Sequence, residues 1–244
     1  MGCRNSKAAD TKENHESQDH QQSRSAATPS LTTKAFTSVP PATSQPYILC
    51  AVYDGDTIRV RRPQEPKGRE HELRLRFLGI DTPELKEQEP FALEAKNHLL
   101  ELLTGSIHPP KGEIGATVFI TPPATGSAVD KYDRMLGIVY VAHEGSMVCV
   151  NESLLRKGLA RLYEPTPNQL APDVHRAFED AQKDARKHKR AIWSLTDEKA
   201  TVYTTTNGKA YHLKDCEHLR GGGRAGTVGS ALDRGLAACR TCHA

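Results

Sequence analysis

From Tyr47 onward the apolar positions recur first with strand spacing and then with helical spacing. "YILCAVY" (47–53) and "TIRVRR" (57–62) predict two strands separated by the polar turn "DGD", and "HELRLRFLGI" (71–80) predicts a third. "EPFALEAKNHLLELL" (89–103) sets Phe91, Ala95, Leu99 and Leu102 at helical intervals and closes on Gly105. "ATVFIT" (116–121) and "RMLGIVYVA" (134–142) predict strands four and five, with a Pro/Gly/Ser loop from Pro122 to Val129 between them. After a turn at "HEGS", "VNESLLRKGLA" (150–160) predicts a short helix with Asn151 as N-cap and Gly158 as its stop. "PDVHRAFEDAQKDARKHKRAIW" (172–193) predicts a longer helix opened by Pro172, with an apolar stripe of Val174, Ala177, Phe178, Ala181 and Ala185. Five strands with a helix after the third predict a β-barrel with helices, an α+β fold whose strands close as a five-stranded OB-fold.

Composition changes the picture at the two ends. Of 244 residues only 37% are hydrophobic and 5% aromatic, too few for a chain packed throughout. Residues 1–46 are rich in Ser, Thr, Gln, Lys, Asp and Pro without apolar periodicity, and read as a disordered tether that cannot offset its ordering entropy. The domain division is then 1–46, 47–195 and 196–244. "MGCRNS" fits the pattern for acylation of Gly2, with Cys3 placed for a second chain, and two chains hold a protein at a membrane where one does not. The alternatives are lipidation of Cys3 behind a bacterial lipoprotein signal and an uninformative start. Acylated Gly2 and Cys3 would make the protein membrane-tethered or extracellular, at the cell envelope. No run of 18 apolar residues is present. A net charge of +3 with pI near 8.5 permits a polyanionic partner without requiring one.

Candidate chemistry lies at two strand ends. "DGDT" brings Asp54, Asp56 and Thr57 to the turn between strands one and two; "DTPE" brings Asp81, Thr82 and Glu84 just past strand three. If the barrel closes, both carboxylate pairs reach one rim, where they repel unless a cation sits among them. Hard oxygen donors without His or Cys indicate Ca²⁺ or Mg²⁺. Arg76 and Arg134 add planar donors suited to a phosphate ester, so the set as a whole points to a phosphodiesterase. Each motif alone has a plainer reading, as a hairpin turn, a strand terminator or a surface arginine; their joint occurrence is what carries weight.

The ordered blocks "AVYDGDTIRV", "LRFLGIDTPE", "DKYDRMLGIVY", "VNESLLRKGLA" and "AIWS" resemble the staphylococcal nuclease (thermonuclease) family over about residues 47–194. The resemblance implies an OB barrel with three helices and Ca²⁺-dependent hydrolysis of DNA and RNA to 3′-phosphates, by a monomer. It implies Asp56 and Asp81 as direct Ca²⁺ carboxylates, a backbone carbonyl from Thr82, and Asp54 acting through water. Glu84 matches the residue proposed as general base or water organiser, Arg76 and Arg134 the arginines on the scissile phosphate, and Lys131 and Tyr132 the pair on a terminal phosphate. The family's nucleotide-stacking tyrosines fall near Tyr163, in a segment, "RLYEPTP", that is shorter and differently spaced. Two competing classes are a non-catalytic nucleic-acid-binding OB module and an envelope interaction protein acting through its tail.

The tail has its own signature. His212-x3-Cys216 and Cys239-x2-Cys242 supply four soft ligands in two pairs, a structural Zn²⁺ pattern for a small zinc-ribbon-like module. His218 and His243 are alternative ligands, and disulfide pairing in an oxidising compartment is the alternative chemistry. "KAYHLKDCEHL" with "ACRTC" resembles small metal-binding modules appended to some bacterial secreted nucleases and to DNA-repair methyltransferases. Cys50 and Cys149 sit in apolar stretches and read as buried thiols, with a bridge as the alternative. "KDARKHKR" (183–190) reads as a solvated helix face, the alternative being a nucleic-acid groove, and either would add non-specific attraction for phosphate.

Overall fold

A computed structural model describes residues 41–244 except 110, 165, 167, 168, 221, 240, 243 and 244. Gly2, Cys3 and His243 lie outside the described residues. Strands β1 (Gln45–Val52), β2 (Thr57–Arg61) and β3 (Leu73–Phe77) form an antiparallel meander, and β5 (Thr117–Thr121) and β6 (Met135–His143) continue it from the other side of β1. A parallel pairing of β3 with β6, with Arg76 opposite Leu136, closes five strands into a barrel. Alternation in each strand sends Leu49, Ile58, Val60, Leu75, Phe77 and Val118 inward, all at most 1% exposed. A register shift between Leu49 and Ala51 bends β1 so that it can pair with β2 and β5 at once.

Helix α1 (Ala92–Thr104) lays Ala95, Leu99 and Leu103 into this core and ends on Gly105 at φ 72°. Helix α2 (Val150–Lys157) ends on Gly158, also at φ 72°, and α3 (Pro172–Lys187) starts on Pro172 and buries Phe178, Ala181 and Ala185. A two-residue ribbon of β4 (Ile80–Asp81) and β8 (Arg161–Leu162) sets Asp81 opposite Arg161.

The structure corrects four local expectations. Asn151 is not an N-cap: it lies inside α2, fully buried, where Oδ1 accepts the Val139 N–H at 2.9 Å and Nδ2 donates to the Leu78 carbonyl at 2.9 Å. A buried amide earns its place by satisfying two backbone groups, here tying the end of β3 to β6. "HEGS" is turn only at Glu144 and Gly145: His143 ends β6, and Ser146 opens a further strand, β7 (Ser146–Cys149), which runs straight into α2 at Val150. The third strand breaks after Phe77, because Gly79 turns at φ 78° before β4. Finally α3 stops at Lys187, a separate 3-10 turn carries Ala191–Ser194, and the basic run is not wholly solvated: Arg190 pairs with Asp184 at 2.5 Å, and Arg186 turns toward the tail.

The tail is a four-stranded sheet in the order β11 (Arg224–Thr227), β9 (Thr201–Thr204), β10 (Ala210–His212) and β12 (Ala237–Ala238), with helix α4 (Val228–Asp233) packed on it. The break between the two sheets falls between Ser194 and Thr201, but an apolar core crosses it. Ile192 and Trp193 pack with Val202, Tyr211, Val228 and Leu236. Arg186 reinforces the junction, reaching Glu198 at 3.0 Å and Asp233 at 2.9 Å.

Candidate active site and Cys/His cluster

The β2–β3 register decides where the two acidic loops meet. Thr57 is opposite Arg76, so Asp56 stands beside Phe77, whose N–H it accepts at 2.8 Å through its carbonyl. Gly55 makes the tight turn fit: a Cβ there would lie 2.7 Å from Ala95 Cβ and 2.9 Å from Thr82 Cγ2, so the turn rests directly on α1 and on the second acidic loop. In consequence Asp56 is only 3% exposed, and its Oδ2 accepts the Thr82 N–H at 2.8 Å. Arg76 spans the two loops. Its Nη1 meets Asp56 as an ion pair without the alignment of a hydrogen bond, and its Nη2 donates to Asp81 Oδ1 at 2.5 Å.

The charges perturb one another. Burial pushes the Asp56 carboxyl above its ordinary range, with Arg76 pulling it down and Asp81 pushing it up. Glu84 is likewise raised, first by desolvation of its carboxyl and then by the charges of Asp56, Asp54 and Asp81. Four carboxylates thus sense one another, with a single buried guanidinium between two of them. The donors are all hard oxygens on two rigid loops, which fits a Ca²⁺- or Mg²⁺-type ion and not a soft one.

On the other side of Arg76 a cavity of about 510 Å³ is lined by Arg76, Lys131, Tyr132, Arg134 and Tyr163. Both sequence-predicted arginines and both residues assigned to a terminal phosphate therefore share one space. Tyr132 is 66% exposed, with Lys131 4.9 Å and Arg134 5.4 Å from its ring centroid. The sequence reading missed Asp130. Its Oδ1 accepts the N–H groups of Tyr132 (2.8 Å) and Arg134 (3.0 Å), and its Oδ2 takes Arg134 Nε at 2.8 Å. Asp130 therefore shapes the turn and holds Arg134 at once; the four-residue spacing in "DKYDR" was the available signal.

The tail brings His212, Cys216, Cys239 and Cys242 together, with one ligand atom from each within 4.8 Å of all the others. His212 Nδ1 lies 3.3 Å from Cys216 Sγ, and Cys216 Sγ lies 3.9 Å from Cys239 Sγ. Bonded sulfurs sit about 2.05 Å apart, whereas tetrahedral zinc with Zn–S of about 2.3 Å sets edges of about 3.8 Å. The three tail cysteines, like the buried Cys50 and Cys149, are free thiols. Burial opposes ionisation of Cys239, but backbone N–H groups of Thr241 and Cys242 hold its thiol below the ordinary range. His218 is not in the cluster; its Nε2 pairs with Thr241 Oγ1 at 2.9 Å.

A sequence model of staphylococcal nuclease homologues matches residues 74–195. The chain is 32% identical over 160 residues to endonuclease Htp3 of Saprolegnia parasitica, covering 60% of this chain and 69% of that protein. It is 31% identical over 157 residues to the thermonuclease of Staphylococcus hyicus, covering 63% and 78% respectively. A probable endonuclease LCL3 of Komagataella phaffii is 24% identical over 127 residues, half of each chain.

Proposed function

This chain belongs to the staphylococcal nuclease family and is a nuclease hydrolase, and we propose that it cuts both DNA and RNA in a Ca²⁺-dependent reaction, leaving 3′-phosphates. The observation that carries this reading is the pair of loops joined through Asp56, Arg76 and Asp81 at the edge of a cavity that also holds Arg134. Asp56 and Asp81, with Asp54 and the Thr82 carbonyl, would hold the Ca²⁺. Bound there, the ion supplies charge neutralisation at a phosphate oxygen and a place for water.

The residues of the chain do the rest. Glu84, raised toward neutrality by its surroundings, takes a proton from the attacking water. Arg76 and Arg134 gather charge on the non-bridging oxygens as the new P–O bond forms and the bond to the 5′ oxygen breaks. Lys131 and Tyr132 position a neighbouring phosphate, and the departing 5′ oxygen takes a proton from water, leaving as the 5′ hydroxyl. Digestion of plasmid DNA and of RNA in Ca²⁺ or EGTA tests this. Cleavage is expected only with Ca²⁺, and Glu84→Gln and Arg134→Ala should each lower kcat by about 100-fold. Full activity in EGTA would remove the Ca²⁺ requirement, and binding without cleavage would favour the non-catalytic module.

In the tail, His212, Cys216, Cys239 and Cys242 are proposed to hold one structural Zn²⁺, supported by four soft donor atoms within 4.8 Å of one another. Metal analysis of the purified protein should give one zinc per chain, falling to none in Cys216→Ser. Attachment to a membrane through acylated Gly2 and Cys3 is proposed from the first six residues; mass spectrometry of the native N-terminus checks it. The enzyme is proposed to work as a monomer, which light scattering would test.

A further inference from the structure

Arg161 stands apart from the other arginines of this molecule. Arg59, Arg61, Arg76, Arg134, Arg156, Arg186 and Arg190, all buried or half-buried, each meet a carboxylate. Arg161 is half-buried too, yet it has no carboxylate within ion-pair distance among the described residues, and its Nε is buried without a hydrogen-bond partner. Its guanidinium lies 5.5 Å from the centre of the Trp193 ring. A desolvated cation left without a counter-charge is costly, and an anion entering beside it recovers that cost.

Its location says which anion. Arg161 lies directly opposite Asp81 in the β4–β8 ribbon, and residues so paired project from the same face. Both line a cavity of about 550 Å³ whose far wall is the tail, through Leu232, Leu236 and Cys239. This cavity is lined by Asp81, Thr82 and Glu84 and the one holding Arg134 by Arg76, and the two share Tyr163, so they adjoin at the acidic rim. Asp81, Glu84, Glu87 and Glu89 also line this cavity and repel an anion, so Arg161, the one cation among its described lining residues, is where a phosphate could be held.

We propose that the cleft between barrel and tail is a second nucleic-acid subsite, in which Arg161 takes a phosphate of the same strand on the other side of the reaction centre from Lys131 and Tyr132. The tail is then a wall of the substrate groove as well as a metal-binding appendage. The inference rests on the nuclease reading, so its test includes a substrate that reports on that reading alone.

Kinetics with a single-stranded decadeoxynucleotide and with a dinucleotide holding one phosphodiester separate the two. Cleavage of both by the wild type supports the nuclease reading, and cleavage of neither overturns that reading. Arg161→Gln should raise KM for the decamer several-fold, leave its kcat unchanged and leave the dinucleotide unaffected. It should also reduce the slope of log kcat/KM for the decamer against log salt by about 0.7, the loss of one phosphate contact on a single strand. Equal effects on both substrates, or none on either, would overturn the subsite. Because Arg161 covers Trp193, a measurement on the wild type stands beside the variant. In EGTA the decamer, but not the dinucleotide, should protect Arg161 from phenylglyoxal as mapped by peptide mass spectrometry; equal labelling with and without decamer overturns the proposal.

Discussion

Single residues in this protein do their work through what burial makes of them. Asp56 is an ordinary turn aspartate by sequence, but at 3% exposure it cannot stand as a charge without Arg76 and the Thr82 N–H. Asn151 shows the same logic in neutral form. Asn151→Ala strands the Val139 N–H and the Leu78 carbonyl, at about 1–3 kcal/mol for each buried group left unsatisfied. Urea denaturation should therefore show a loss of at least about 2 kcal/mol, and activity should fall as well, because Leu78 leads into the turn that presents Asp81. At this scale the acidic site was readable: Asp54, Asp56, Asp81 and Glu84 are carboxylates beside turn residues, and the fold brings them within reach of one another. Asn151 was not, because the groups it satisfies lie on other strands. Asp130 was missed although its partners, Tyr132 and Arg134, are only two and four residues away.

Elements position one another through a few cross-links. Helices α1 and α2 meet through His98, whose Nε2 lies 2.9 Å from Ser153 Oγ. Burial, aided by the charges of Lys157 and His143, lowers this imidazole from its ordinary 6.5 to about 4. Its folded value lies below its unfolded one, so the unfolded chain binds the proton first. Stability from this group is complete above about pH 6.5 and is lost as pH falls toward 4. Between pH 7.5 and 5 the loss should be about 2 kcal/mol, and His98→Gln should remove that part of the slope in urea titrations at the two pH values. An unchanged slope would mean that His98 is not the group responsible. The strands were legible because barrel strands alternate inward and outward. Strand β7 was not, because "SMVC" is too short to show a period and a short, mostly apolar run serves a strand or a helix equally well.

At the scale of the whole molecule the tail and barrel share a core. Trp193, the single tryptophan of the chain, sits where they join, between the guanidinium groups of Arg161 and Arg186. Truncation after Ser194 removes Val202, Tyr211 and Leu236 from this cluster and exposes indole. The truncated chain should melt several degrees lower, with a red-shifted tryptophan emission. Unchanged melting would show that the tail contributes nothing to the stability of the barrel. Removal of the proposed Zn²⁺ by a chelator should move the emission in the same direction, since His212 and Cys239 close the strands that carry Tyr211 and Ala238.

The order of strands and helices, the stop glycines, the carboxylate and arginine motifs and the two ligand pairs were determined by the sequence itself, because each depends on neighbours within a few positions. Tertiary structure alone decided that Arg76 lies between Asp56 and Asp81, that Asn151 ties β3 to β6, that Arg186 docks the tail and that Arg161 has no ion-paired acid among the described residues. Those outcomes depend on strand register and on which surfaces exclude water from one another, and residues far apart in the chain settle both.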